Sequence, residues 1–181
     1  MLEAIQGMDG ALLLWIQNMR FDFLNPLVEL YTSLGNAGLM WIALSLVMLF
    51  NKKTRKAGVL SLASMLLGLL CTNVILKHLF ARPRPWLDVA GLTALVNEPD
   101  PNSFPSGHTC AAFAAGMIWL RTLPWKWGRI TAVVLAVCMG LSRLYVGVHY
   151  PTDVLAGALV GSFCAWVVWT AYQRMERKNQ L

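Results

Sequence analysis

Three short segments, far apart in the chain, hold most of its chemically able side chains: Lys77-His78-Leu79-Phe80-Ala81-Arg82-Pro83-Arg84-Pro85, Pro105-Ser106-Gly107-His108, and Ser142-Arg143 followed by His149 and Asp153. Together they offer Lys77, Arg84 and Arg143 as cations for an anion, the imidazoles of His108 and His149, and a carboxylate, Asp153, four residues after His149. That inventory suits nucleophilic displacement at phosphorus. Cations neutralise the oxygens where charge develops, and imidazoles attack or exchange protons near neutral pH. No acidic cluster of metal-ligand type accompanies the cations, which argues against a magnesium-dependent mechanism. No cofactor is implied.

Local sequence says how these groups are presented. Ser106-Gly107-His108 follows Pro105 and opens an apolar stretch. A helix N-terminus there aims free N–H groups at an anion, with Gly107 allowing close approach and Ser106 as cap or hydroxyl donor. Pro151 is well placed as the first residue of the last helix. Asp153 then falls in the first turn, where its carboxylate can reach back to one ring nitrogen of His149 and leave the other unprotonated. Arg84 sits between two prolines that force extended backbone. Arg82 reads equally well as a snorkelling cation at a membrane boundary. His78 reads as a helix-end or interfacial residue.

The spacing resembles the type 2 phosphatidic acid phosphatase (PAP2) superfamily, whose pattern is K-x6-RP, then PSGH, then SR-x5-H-x3-D. Lys77, Arg84, Pro85, Pro105, Ser106, Gly107, His108, Ser142, Arg143, His149 and Asp153 fill every position of it. The three motifs occur in order with the family's internal spacings, from Lys77 to Asp153. The resemblance implies a metal-independent phosphatase that passes through a phosphohistidine. By position, His149 is the nucleophile, Asp153 its orienting partner and His108 the acid/base, while Lys77, Arg84, Arg143, Ser106 and Gly107 bind phosphate.

The elements that must position these residues are apolar. The chain of 181 residues is 57% hydrophobic and 13% charged, against about 45–50% and about 25% in soluble domains. That composition means membrane. The net charge of +6 comes from short basic clusters between apolar stretches rather than a groove for nucleic acid. Residues 27–50, 57–80, 106–121, 128–148 and 151–173 are each near the length needed to cross a bilayer core. Residues 2–19 place Leu2, Ile5, Met8, Leu12, Ile16 and Met19 at helical spacing, opposite Glu3, Gln6, Gln17 and Asn18, which suits an amphipathic interfacial helix with Trp15 at headgroup level. The expected fold is a single all-α membrane bundle over 1–181, with five spans plus this helix. A cleaved signal peptide does not fit, since no basic region precedes the first apolar run. Cys71, Cys110, Cys138 and Cys164 lie in apolar sequence and read as small buried residues.

Ten of the fifteen Lys and Arg residues fall in the turns after spans one and three and in the tail: Lys52, Lys53, Arg55, Lys56, Arg121, Lys126, Arg129, Arg174, Arg177 and Lys178. Positive-inside bias puts these in the cytoplasm with the C-terminus, and the motif side outside the plasma membrane. A charge at mid-bilayer costs several kcal/mol, so the cations at the outer boundary need a partner or a task. The natural substrate is a lipid phosphate, its tail in hydrocarbon and its headgroup at the cations. Undecaprenyl diphosphate fits an outward-facing site; phosphatidylglycerol phosphate and phosphatidic acid fit the same motif. Two rivals exist: a vanadate-dependent haloperoxidase, which shares the motif but is soluble, and a non-catalytic lipid-phosphate binder or transporter, which would not need His108, His149 and Asp153 together.

Overall fold

Helix follows the apolar stretches in chain order: α1 Leu2–Asn18, α2 Asn25–Leu34, α3 Leu39–Leu49, α4 Arg55–Leu69, α5 Lys77–Phe80, α6 Pro85–Asp88, α7 Gly107–Thr122, α8 Lys126–Tyr145 and α9 Pro151–Lys178. The structure is a computed structural model that describes residues 2–180, with side chains from Gln6 onward. The expected places of Leu2, Glu3 and Ile5 on the first helix therefore lie outside the described side chains. A wider π-type stretch, Leu70–Leu76, joins α4 to α5, so the helix runs unbroken to the first motif.

The small residues of α7 explain why it sits in the middle. Ala112, Ala114 and Ala115 have no exposure, and α4, α8 and α9 all pack against this helix. α9 turns Gly157 and Gly161, one turn apart, towards α7. A Cβ at Gly157 would stand 2.5 Å from the Ser106 carbonyl oxygen, and one at Gly161 would collide with that of Cys110. Small residues four apart let two apolar helices approach to backbone contact, the usual device in lipid. That approach fixes the start of α7 beside the start of α9, and the Ser106 N–H donates to the Asp153 carbonyl at 3.0 Å.

Among the described residues, three helical stretches are long and apolar enough to cross a bilayer: Arg55–Phe80, Lys126–Tyr145 and Pro151–Lys178. The stretch expected as one span over 27–50 is two helices bent by 52°, a fourth crossing if the pair counts as one. The break lies at Gly35-Asn36-Ala37-Gly38, where Ala37 and Gly38 take positive φ (49° and 72°). Glycine favours that region and alanine does not, so the bend is imposed by packing. α7, expected as the span over 106–121, has 16 residues, a rise of about 24 Å, and is not among the stretches long and apolar enough to cross.

α1 is amphipathic in an unexpected sense. Met8, Leu12 and Trp15, with Met19 just past its end, point outward, 43–74% exposed, while Asp9 and Leu13 point inward and are buried. Leu13 packs with Leu92 and Tyr150. Of the cysteines, Cys110 and Cys164 are buried as expected, whereas Cys138 lies on the outer surface of α8; all four are free thiols.

Candidate active site

The end of α5, the start of α7, the end of α8 and the start of α9 meet at one end of the bundle, and the three motif segments meet with them. Arg84, Arg143, His149 and Asp153 are at most 1% exposed, and Lys77 is 8% exposed. A cavity of about 390 Å³ is lined at its polar end by Lys77, Arg84, Gly107, His108 and His149, and at its apolar end by Ile42, Leu62, Met65, Leu66 and Leu69. One continuous space thus runs from the cations to a greasy wall between α3 and α4.

His149 is held from both sides. Arg84 Nη1 lies 3.0 Å from His149 Nε2 and 2.9 Å from the Val148 carbonyl. A guanidinium can only donate, so Nε2 carries the lone pair and Nδ1 the proton. Nδ1 faces Asp153 Oδ2 at 3.6 Å, an ion-pair distance that is too long for a hydrogen bond. The hydrogen bond expected between these two is therefore not made in this state; Asp153 Oδ2 accepts from the Tyr150 N–H at 2.8 Å instead. Burial, followed by the charges of Arg84, Arg143 and Lys77, holds the His149 pKa well below its ordinary value. The ring is neutral, its lone pair is taken by Arg84, and the residue lines the cavity.

His108 lines the same cavity one residue into α7. Its Nε2 donates to Asn36 Oδ1 at 2.9 Å, and Asn36 is delivered by the break between α2 and α3. Ser106 is the N-cap of α7: its Oγ accepts from the Thr109 N–H at 3.4 Å and hydroxyl at 2.9 Å. It has no exposure and does not line the cavity. Gly107 does, and a Cβ there would stand 3.2 Å from Asn73 Oδ1.

The cations are already covered by anions. Glu98 pairs with Arg143 and, at 3.5 Å, with Arg84; Asp100 pairs with Lys77. Burial pushes the Asp100 carboxyl up, but hydrogen bonds from Lys77 and the Asn102 N–H and the charges of Lys77 and Arg84 outweigh it and hold it below its ordinary value. Arg143 also donates from Nη1 to the Thr32 hydroxyl at 2.6 Å. Its Nε is buried with no partner among the described residues. The carboxylates come from the loop 89–104, which is stitched down by the Pro83–Asn102 bridge and by Gln17 and Arg20 on Gly91 and Thr93.

Lys77, Arg84, Ser106, Gly107, His108, Arg143, His149 and Asp153, the residues expected to carry the chemistry, all lie at this end of the bundle. Asn36, Thr32, Glu98 and Asp100 were not singled out. For Asn36 the signal was present, since Gly-Asn-Ala-Gly is a helix-breaking run. Arg82 does not snorkel: it bonds Asp153, Thr152 and Asp9. His78 is exposed at the end of α5, as expected.

The PAP2 superfamily profile matches residues 58–177. An undecaprenyl-diphosphatase of Sulfolobus acidocaldarius is 35% identical over 128 residues, which are 71% of this chain but only 61% of that protein. The crystal structure of a transmembrane PAP2-type phosphatidylglycerolphosphate phosphatase from Bacillus subtilis aligns with a TM-score of 0.77 at 31% identity, covering 94% of this chain and 87% of the other. That of Aquifex aeolicus LpxE aligns with a TM-score of 0.78 at 26% identity, covering 88% and 93%.

Proposed function

This chain belongs to the PAP2 superfamily, and on that footing we propose that it is a lipid-phosphate phosphatase working through a phosphohistidine on His149. The observation that carries the reading is the His149 ring itself: Nε2 faces Arg84 and so holds the lone pair, on a residue that lines the same cavity as Lys77 and Arg84. A binder needs the cations but has no use for an imidazole held in the attacking tautomer.

The chemistry follows from the groups present. A phosphate entering the cradle replaces Glu98 and Asp100 on Arg143, Arg84 and Lys77, and takes up the free Arg143 Nε donor. Arg84 turns from His149 Nε2 to a phosphate oxygen, which frees the lone pair. Nε2 then attacks phosphorus, the bond from phosphorus to the leaving oxygen breaks, and His108 supplies the proton that oxygen needs. Asp153 draws towards the ring proton on Nδ1 as the ring becomes cationic. In the second half His108 takes a proton from water, whose oxygen attacks phosphorus and breaks the N–P bond. Inorganic phosphate leaves.

The apolar wall of Ile42, Leu62, Met65, Leu66 and Leu69 supports a lipid substrate, since a chain attached to the phosphate would be seated there. We assign undecaprenyl diphosphate, hydrolysed to undecaprenyl phosphate at the extracytoplasmic face, with the C-terminus in the cytoplasm and five spans plus α1. The basic clusters support that orientation. The alternative is phosphatidylglycerol phosphate or phosphatidic acid, favoured by how fully the Bacillus subtilis structure aligns. Phosphate release by purified protein from a panel of these lipids, with EDTA present throughout, tests the assignment. Undecaprenyl diphosphate is expected to give the highest kcat/KM, undiminished by EDTA. Preference for a glycerophospholipid supports the alternative, and activity that needs added magnesium contradicts the mechanism.

A further inference from the structure

Arg82 belongs to the first motif segment but is absent from the cavity wall that holds Lys77 and Arg84. Ala81, at φ 41°, ends α5 and sends Arg82 the other way. Its Nη1 donates to Asp153 Oδ1 and to the Thr152 hydroxyl, both at 2.7 Å, and its Nη2 donates to Asp9 Oδ2 at 2.9 Å. The guanidinium lies over the Tyr150 ring, 3.8 Å from its centre. Asp9 closes the circuit by accepting from the Thr152 hydroxyl and, at 3.4 Å, from its N–H. One guanidinium is therefore shared by two buried carboxylates, one from α1 and one from α9.

We propose that Arg82 and Asp9 are positioning residues for the His149–Asp153 pair, so that α1 is part of the catalytic apparatus and not only a membrane-surface helix. The inference rests on His149 as nucleophile. Asp153 has no exposure, and a buried carboxylate without a partner sheds its charge. Arg82 is the cation that offsets this cost, and it fixes the carboxylate's rotation: Oδ1 accepts from Arg82 and Oδ2 from the Tyr150 N–H, which leaves Oδ2 3.6 Å from His149 Nδ1. A simple Arg82–Asp153 pair would be neutral and offer little to a cationic ring. With Asp9 the trio carries one net negative charge beside His149. That charge matters when phosphorylation makes the ring cationic, and hardly at all when phosphate first binds.

The test is kcat, KM and inhibition by inorganic phosphate for wild type, Asp9→Asn, Arg82→Gln and Arg82→Lys, normalised to folded protein. Asp9→Asn and Arg82→Gln are expected to lower kcat by about 10–100-fold, the size of loss seen when the carboxylate partners that orient metal-binding histidines are removed, with KM and phosphate inhibition near wild type. Arg82→Lys should recover part of the rate, since it keeps the charge but cannot bridge both carboxylates. Wild-type kcat in folded Asp9→Asn overturns the proposal, and that isosteric variant decides the matter should Arg82→Gln fail to fold. Raised KM and weakened phosphate inhibition at unchanged kcat also overturn it, because Arg82 then binds the phosphate. His149→Ala, measured alongside, separates the two readings: activity there sinks the nucleophile assignment, whereas a dead His149→Ala with an unimpaired Asp9→Asn sinks only the positioning role.

Discussion

Arg84 donates a hydrogen bond to His149 Nε2 across 3.0 Å, and the donor's chemistry decides the state of the acceptor. Because a guanidinium has no lone pair to offer, the imidazole proton is on Nδ1, towards Asp153. The bond also masks the lone pair until an anion draws Arg84 away. In the ligand-free protein the unprotonated ring nitrogen is thus covered by a cation that, on the reading proposed above, binds the substrate phosphate.

That relationship sets the pH behaviour of His149. An ordinary histidine takes up its proton near pH 6.5, and burial and three cations lower that value here. As pH falls through 6.5, His149 should stay neutral. With only three histidines in the chain, ¹⁵N-histidine NMR in detergent, assigned against His149→Gln, can read it directly. The expected spectrum has a neutral Nδ1–H ring at pH 6; an imidazolium there, or the Nε2–H tautomer, contradicts the geometry.

Glu98 stands where a substrate phosphate is expected, so Glu98→Gln should act in opposite directions on the empty and filled site. Breaking a buried ion pair from one side costs up to about 3–5 kcal/mol, and the ligand-free variant should melt earlier. Orthovanadate should restore the melting temperature and inhibit about tenfold more tightly, a gain of about 1.4 kcal/mol. Unchanged or weaker vanadate inhibition would mean that Glu98 does not compete for the anion.

Asn36 is the hydrogen-bond partner of His108, and with His108 as the proposed acid/base the cost of removing Asn36 should depend on the leaving group. General acid catalysis is worth about 10²–10⁴-fold. Asn36→Ala is expected to lose a good part of this with a lipid phosphate and little with an aryl phosphate whose leaving group needs no proton. Equal losses on both substrates would place Asn36 in binding or stability instead.

The motif segments were legible because their spacing is local: Lys77 to Arg84 and His149 to Asp153 are each fixed by a turn or two of backbone. The basic clusters were legible for the same reason, whereas the small residues of α7 and α9 took on meaning only once the two helices were seen to touch. What was not legible depends on contacts across the bundle. Asp9 reads as one acidic residue in a helix, and only the docking of α1 brings it to Arg82. Glu98 and Asp100 sit in a loop with no periodicity, and their pairing with the cations follows from where that loop is tied down. The bend at Gly35–Gly38 was the case where a visible signal was outweighed by apolar residues on both sides, so 27–50 read as one span.

Orientation can be checked with single cysteines in a background without the four native ones. Lys53→Cys and Pro124→Cys lie at exposed positions in the basic turns, and Pro99→Cys lies in the exposed loop over the site. With intact cells, a membrane-impermeant maleimide should label position 99 and spare 53 and 124. Labelling at 53 but not at 99 would turn the protein over and remove the extracytoplasmic assignment.

The central claim is that His149 becomes phosphorylated. Wild type, His149→Ala, His108→Ala and Asp153→Asn would each be mixed with lipid substrate labelled in the transferred phosphate, quenched in alkali, where phosphohistidine survives, and then acidified. The expected result is acid-labile label on wild type, none on His149→Ala, and slow formation or slow decay on His108→Ala and Asp153→Asn. Acid-labile label and normal turnover in His149→Ala, with His108→Ala dead and unlabelled, would contradict the assignment of His149 as the attacking group.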